Sequence, residues 1–190
     1  MEVRTSTNPI SALEIFTIGH SNLRPEKLEE LLTRYEITIV VDVRSSPYSQ
    51  FNPQFNRESL KFSLESHGFE YRYAGDFLGG RPKDPDCYKD GKLPDGKADY
   101  LHLVNYPAVM EKDFFKKGIQ NLLKLAGESR VVVMCSEEDP AICHRHHLVG
   151  KYLVGQGVNV FHIRGTGDLL KDQYLPNLSE EPPVEQLKLF

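Results

Sequence analysis

The sequence predicts an α/β fold: three layers, with a mostly parallel sheet of about five strands and helices on both faces. Three observations carry this reading. The run Ile37-Thr38-Ile39-Val40-Val41-Asp42-Val43 is nearly continuous and β-branched, as in a strand buried on both faces. Short apolar runs alternate with segments of helical periodicity. A chain of 190 residues is long enough for one sizeable core.

Ile15 to Ile18 forms the first predicted strand, ended by Gly19-His20-Ser21. Pro25 suits the first turn of a helix whose apolar stripe is Leu28, Leu31 and Leu32. After the second strand, Ser45 to Asn56 reads as a loop, and Asn56 as the cap of a helix carrying Leu60, Phe62 and Leu64 that stops near Gly68. Phe69 to Tyr73 is the third strand. The stretch 74–97 holds Gly79-Gly80, Pro82, Pro85, Pro94 and many charges, and reads as a long lid or binding loop. Tyr100 to Ala126 is helical in pattern, interrupted at Pro107. Arg130 to Cys135 is the fourth strand, His144 to Gln156 a helix, and Val158 to Ile163 the fifth strand. The expected organisation is an N-terminal extension over 1–13, a single α/β domain over 14–175 and a flexible tail over 176–190.

Composition narrows the function classes. A net charge of -4 gives no bulk drive toward nucleic acid or anionic membrane, although a local basic patch is compatible with it. No apolar run approaches the roughly 20 residues that span a bilayer, and residues 1–13 lack the apolar core of a signal peptide. Three cysteines do not make a disulfide framework, so a cytoplasmic location is expected.

In parallel sheets, ligands bind beyond the carboxyl ends of the strands. Gly19-His20-Ser21, Asp42-Val43-Arg44-Ser45 and the segment Cys135 to Arg145 all follow strand ends, so the topology gathers them on one rim. Cys135, Glu137, His20, Cys143 and His144 are the catalytic candidates. A thiol at a helix N-terminus beside Arg145 would have a lowered pKa, which favours Cys143; Cys135 also reads as a small buried residue ending a strand. Ser21, Asp42, Arg44, Arg81 and Arg145 are the binding candidates. His20 and Ser21 are placed to hold an anion, while Ser21 or Asn22 also fits a helix cap. Asp42 and Arg44 flank Val43 and point to one side, either as an ion pair or with Arg44 turned to an anion. Arg81 follows the glycine pair and is placed to close over an anionic ligand. Of His146 and His147, at least one is expected on the surface, and Cys87 is read as incidental. Cys135, Cys143, His144 and His20 offer soft metal ligands, but no Cys-x-x-Cys pair is present, so no cofactor is predicted, and a bound metal ion at a structural site stays open as the less favoured alternative.

Phe16-Thr17-Ile18-Gly19-His20-Ser21, Val41-Asp42-Val43-Arg44 with Pro47, Leu78-Gly79-Gly80, and Cys135-Ser136-Glu137 with Cys143-His144-Arg145 together resemble the family catalogued as domain of unknown function 488. The resemblance covers about residues 15–165; it implies a compact bacterial or archaeal α/β domain and no established activity. Asp-Val-Arg at a strand end, a strand ending in Cys135, a loop reaching an arginine, and Gly165-Thr166-Gly167 are more weakly similar to the rhodanese-like pattern, so the fold is expected to be rhodanese-like or Rossmann-like. That similarity implies persulfide or phosphate chemistry on Cys135. The acidic run Glu137, Glu138, Asp139 departs from it, because carboxylates repel an anion. Gln186-Leu187-Lys188-Leu189-Phe190 resembles the short peptide by which bacterial repair and replication proteins bind the sliding clamp, with Gln186 as polar anchor and Leu187, Leu189 and Phe190 filling an apolar pocket; the same residues also fit docking on the protein's own core.

The expected function is a cysteine- and histidine-dependent enzyme acting on nucleic acid or a nucleotide-like anion in DNA repair or replication. The alternatives are a non-catalytic anion- or nucleic-acid-binding module recruited by the clamp, and a rhodanese-like sulfurtransferase or cysteine phosphatase.

Overall fold

The computed structural model describes residues 13–96 and 98–178. Its sheet has six strands: β1 (Glu14–Gly19), β2 (Ile39–Asp42), β3 (Glu70–Tyr73), β4 (Val131–Cys135), β5 (Asn159–Ile163) and β6 (Leu169–Lys171). Their order is β3-β2-β4-β1-β5-β6. The first five are parallel neighbours, and β6 runs antiparallel beside β5. The sixth strand escapes the sequence reading because it is three residues long and lies on the sheet edge. It is reached through a tight turn in which Gly167 takes a φ of 94°, a conformation that suits glycine.

Alternation along the central strands sorts the core into two layers. Phe16, Ile18, Val40, Val132 and Met134 face α1 (Pro25–Arg34) and α2 (Arg57–Ser66), which bury Leu28, Leu31, Leu32, Leu60 and Leu64 against them. Ile15, Ile39, Val41, Val131 and Val133 face the other side. That layer is covered by α5 (Tyr106–Glu111), α6 (Asp113–Glu128) and α7 (Lys151–Gly155). The result is the expected three-layer α/β fold.

Several local expectations change. Phe62 is exposed, because only Leu60 and Leu64 lie on the inner stripe of α2. Asn56 precedes α2 without capping it; its side-chain oxygen instead accepts from Ser49 N and shapes the preceding loop. The loop at 74–97 is not structureless. It contains α3 (Gly75–Leu78) and a 3-10 turn (Pro85–Cys87), and Cys87 is buried in the core. Pro107 does not interrupt one helix but begins another. A short α4 (Tyr100–Leu103) ends first, and α5 starts with the Asn105 side chain accepting from Ala108 N.

The last helix also departs from expectation. Its first turns, Arg145–Gly150, are π-helical, and only then does α7 follow. Both His146 and His147 are buried. His146 Nδ1 and His162 Nε2 lie 2.7 and 2.8 Å from the same oxygen of Asp172, and the other His162 nitrogen meets Thr17 Oγ1 at 2.6 Å. Gly150 lets the Asp172 carboxylate in: a methyl group there would overlap its oxygen.

Burial alone would raise the Asp172 carboxyl, but the hydrogen bonds from His146 and His162 outweigh it and hold it below its ordinary 3.8. A depressed carboxyl stabilises the fold fully above its unfolded-state value and loses that contribution as pH falls through the lower folded-state value. Asp172→Asn is therefore expected to cost about 3–5 kcal/mol at neutral pH in urea denaturation. The gap from the unaltered protein should close only in strong acid, below pH 3.8.

Candidate functional site

β2, β4 and β1 are adjacent and parallel, so their carboxyl ends lie side by side. The ladder continues past them: Val43 N donates to Met134 O at 3.0 Å, His20 N to Cys135 O at 3.0 Å and Ser21 N to Ser136 O at 2.8 Å. This continuation makes the backbones crowd. A methyl group on Gly19 would overlap the Glu137 carbonyl oxygen, so only glycine lets the loop after β4 cross β1.

The loop after β4 folds back on its own strand. Cys135 Sγ donates to Glu137 Oε2 at 2.9 Å, and Cys143 Sγ donates to the same oxygen at 3.1 Å. His144 Nδ1 lies 3.7 Å from Cys135 Sγ and 3.9 Å from Cys143 Sγ. The His144 ring is pinned from behind by Gly80, where a methyl carbon would stand 2.6 Å from His144 Cγ. The glycine pair thus belongs to the site through close approach of backbone to imidazole.

The electrostatics of this cluster overturn one expectation. Burial, then the neighbouring Cys135, pushes the Cys143 thiol well above its ordinary range. Cys143 is an inward-facing thiol, not one activated by a helix N-terminus. Burial would raise Glu137, but the two thiol donors outweigh it and hold its carboxyl below its usual value. Burial would lower His144, yet Cys143 and Glu137 outweigh it and raise the imidazole.

Arg44 and His20 form a second layer. Asp42, fully buried, accepts from Arg44 Nε at 2.9 Å, from Arg44 Nη2 at 2.6 Å and from Tyr71 OH at 2.7 Å. Arg44 Nη1 also meets Phe55 O and His20 Nε2. Of the five guanidinium N–H groups, this leaves one for a ligand. The His20 pKa falls to about 4, through burial and then Arg44, so the ring is neutral; Nδ1 donates to Ser21 O and Nε2 accepts from Arg44. Both His20 nitrogens are occupied, which removes it from the donor cluster. Ser21 takes a φ of 41° and does not cap α1, which starts after Arg24 without a side-chain cap.

The cleft outside these groups has a volume of about 510 Å³. Cys135, Glu137, Cys143, His144, Arg44 and Arg81 all line it, and a neighbouring hollow reaches His20 and Ser21. Arg81 is exposed, with its guanidinium 4.5 Å from the centre of the Tyr100 ring. Asp42 and Arg145 do not line the cleft. Arg145 is fully buried and donates to Glu137 O, to Glu138 O and to Thr17 Oγ1, so it holds the loop in shape from below. Of the three acids, only Glu137 faces the thiols: Glu138 pairs with Arg164, and Asp139 accepts from Ala141 N. Residues 186–190 lie outside the described residues.

Tyr48, Tyr100 and Tyr106 also stand in the cleft wall, and no pattern in the sequence marks them. Thr17 braces the site from β1, and its polar side chain within the apolar run Ile15 to Ile18 is the one signal for it in the sequence. Among the described residues, the buried side-chain polar atoms without a partner are Tyr106 OH and His144 Nε2, both of residues that line the cleft, and Nδ1 of His147, whose ring stacks on Tyr106. Such atoms are the ones that ordered water or a ligand satisfies.

Fold and site define a parallel α/β protein with a thiol–carboxylate–imidazole centre at the carboxyl ends of its middle strands. The chain belongs to the family described as domain of unknown function DUF488, whose model matches residues 24–152. The match begins after Gly19-His20-Ser21 and ends before β5. No curated protein and no solved structure matches the chain.

Gly80→Ala is expected to displace the His144 ring and destabilise the protein by about 1–3 kcal/mol, the cost of overpacking. Gly127→Ala, where nothing lies within 4 Å, should instead be neutral or add up to about 1 kcal/mol. Urea denaturation and the imidazole resonances in proton NMR check both.

Proposed function

We propose that this protein is an enzyme whose reaction centre is Cys135, Glu137, Cys143 and His144, and whose substrate is a nucleic acid or nucleotide-like anion held in the cleft. One observation carries the reading: two thiols share one carboxylate oxygen beside an imidazole, in the wall of a cleft of about 510 Å³. Titratable groups of different kinds gathered in a concave site favour a reaction centre over a structural network. Glu137, held ionised and facing the cleft, is the general base. Arg81 offers a charge-assisted donor to phosphate. Tyr48, exposed at the cleft edge, and Tyr100 offer faces on which a base can stack.

A non-catalytic binding module is the second reading, favoured by the burial of both thiols. Sulfur or phosphate transfer on Cys135 has less support, because Arg145 turns into the core and the Glu137 carboxylate covers the thiol where an anion would bind. The clamp-binding reading of Gln186, Leu187, Leu189 and Phe190 rests on sequence resemblance and gives the setting in DNA repair or replication.

Nucleotides and short oligonucleotides incubated with the protein, followed by phosphorus and proton NMR, are expected to show turnover. Glu137→Gln should keep binding and lose turnover, and Arg81→Ala should weaken binding roughly tenfold or more. A ligand bound but left intact selects the binding module. Failure of every probe to bind, or undiminished turnover by Glu137→Gln, overturns the proposal. Separately, deletion of residues 186–190 should abolish retention on an immobilised bacterial sliding clamp; equal retention ends that reading.

A further inference from the structure

The geometry points to a binding site for one zinc-class divalent cation, with Cys135, Cys143 and His144 as ligands and Glu137 beside a fourth position open to the cleft. This deepens the reading of the cleft as a reaction centre, although metal binding itself does not depend on turnover.

The four donor atoms all lie within 4.8 Å of one another. A tetrahedral ion with bonds of about 2.0–2.3 Å has ligand–ligand edges of about 3.3–3.8 Å. His144 Nδ1 stands 3.7 and 3.9 Å from the two sulfurs, which is that edge within a few tenths of an ångström. The imidazole nitrogen thus stands at tetrahedral spacing from each sulfur, and the two sulfurs lie within 4.8 Å of each other. Glu137 Oε2 is closer to the sulfurs, at 2.9 and 3.1 Å, because it takes both thiol hydrogens. When the ion binds, those two protons leave to solvent, two thiolates take their place, and the carboxylate moves outward toward the cleft.

Charge and preorganisation agree with this. Two thiolates, a neutral imidazole and a divalent cation sum to zero, so the buried pair of sulfurs needs no other counter-charge. Gly80 fixes the His144 ring with Nδ1 toward the sulfurs, and its Nε2 has no competing partner in the protein. Cys135, Cys143, His144 and Glu137 all line the cleft, so the fourth position is reachable. Three protein ligands with one open position is the arrangement of catalytic rather than structural zinc. A soft cation is favoured because two of the donors are thiolates. Bound there, it would polarise a water molecule or a phosphoryl or carbonyl oxygen, and Glu137 would take the proton.

A second cluster, His146, His162 and Asp172, also brings three donors together. It is fully buried, and its close hydrogen bonds already satisfy it, so it serves as the contrast in the test.

The full chain, stripped with chelator under reducing conditions, is titrated with cobalt(II) and then with zinc. One equivalent should bind, with thiolate-to-cobalt charge-transfer absorption that zinc abolishes. X-ray absorption of the zinc-loaded protein should show two sulfurs at about 2.3 Å and nitrogen or oxygen at about 2.0–2.1 Å. Cys135→Ser and Cys143→Ser should each halve the charge-transfer band and weaken binding by more than the roughly 100-fold typical of altering a supporting group. Cys87→Ser should leave the band unchanged. A shell of nitrogen and oxygen alone, which the buried histidine cluster would give, or no stoichiometric binding at micromolar concentration, overturns the site; the absorption measurement needs no variant, so a folding defect cannot mask the result. Turnover by metal-free protein would remove the ion from the reaction while leaving the enzyme reading intact. A loaded site that turns over none of the probes would do the reverse.

Discussion

A guanidinium with no exposure to solvent organises this molecule. Arg145 donates to Glu137 O, Glu138 O and Thr17 Oγ1. Burying a cation is costly unless it is hydrogen-bonded; each of the three guanidinium nitrogens finds a partner, and two of these partners are carbonyls of the loop after β4. That loop is therefore obliged to fold back over β1 and to carry Glu137 onto the thiols. Thr17 extends the network to His162, and His162 to Asp172 and His146. One connected set of buried polar groups thus joins β1, the loop after β4, the π-helical turns, β5 and the turn after β6. Networks of this kind stabilise only when complete, and here they hold the geometry of the cleft from underneath.

Close backbone approach is the second constraint, and it explains glycines that periodicity cannot. Gly19 admits the Glu137 carbonyl, Gly80 presses on the His144 ring, and Gly150 admits the Asp172 carboxylate. Each lies where a methyl group would meet atoms of the site or of its supporting network. The parallel order β2-β4-β1 supplies the rest, since three adjacent carboxyl ends deliver Arg44, Cys135 and His20 to one edge. Arg44, with nearly all its donors spent on Asp42, Phe55 O and His20, is a rigid wall of the cleft with one donor left over.

Specific misreadings show where sequence patterns lose information. Arg145 sits next to a histidine and a cysteine, and adjacency suggests that it faces the ligand. The π-helical turns rotate it into the core instead, and periodicity carries no sign of a π-turn. Asp42 and Arg44 are legible as a same-side pair, but only packing against Tyr71 and Phe55 decides that they form a buried ion pair in which all but one of the Arg44 donors are spent. His146 and His147 read as partly solvated because histidine is usually so. Both are interior, because Asp172, 26 residues further along the chain, supplies the carboxylate that makes burial tolerable for His146, and the Ala141 carbonyl accepts from His147. The acidic run at 137–139 read as three repelling charges. Arg164 pairs with Glu138 and lies 3.8 Å from Asp139, which also accepts from Ala141 N, leaving Glu137 alone against the thiols.

The sequence by itself determined the layers, the direction of the central strands and the rim at which the polar segments meet. These follow from β-branched runs, helical stripes and alternation, which are local properties of hydrophobic burial. It also singled out Cys135, Glu137, Cys143 and His144 as neighbours along one loop. Tertiary structure alone decided that both thiols address one carboxylate oxygen, that His144 Nδ1 stands at ligand spacing from each sulfur, and that Arg145 and His20 brace the site instead of filling it. The reason is that direction and distance in a loop are set by long-range satisfaction of buried polar groups and by contacts between strand ends distant in sequence, and neither leaves a period in the chain.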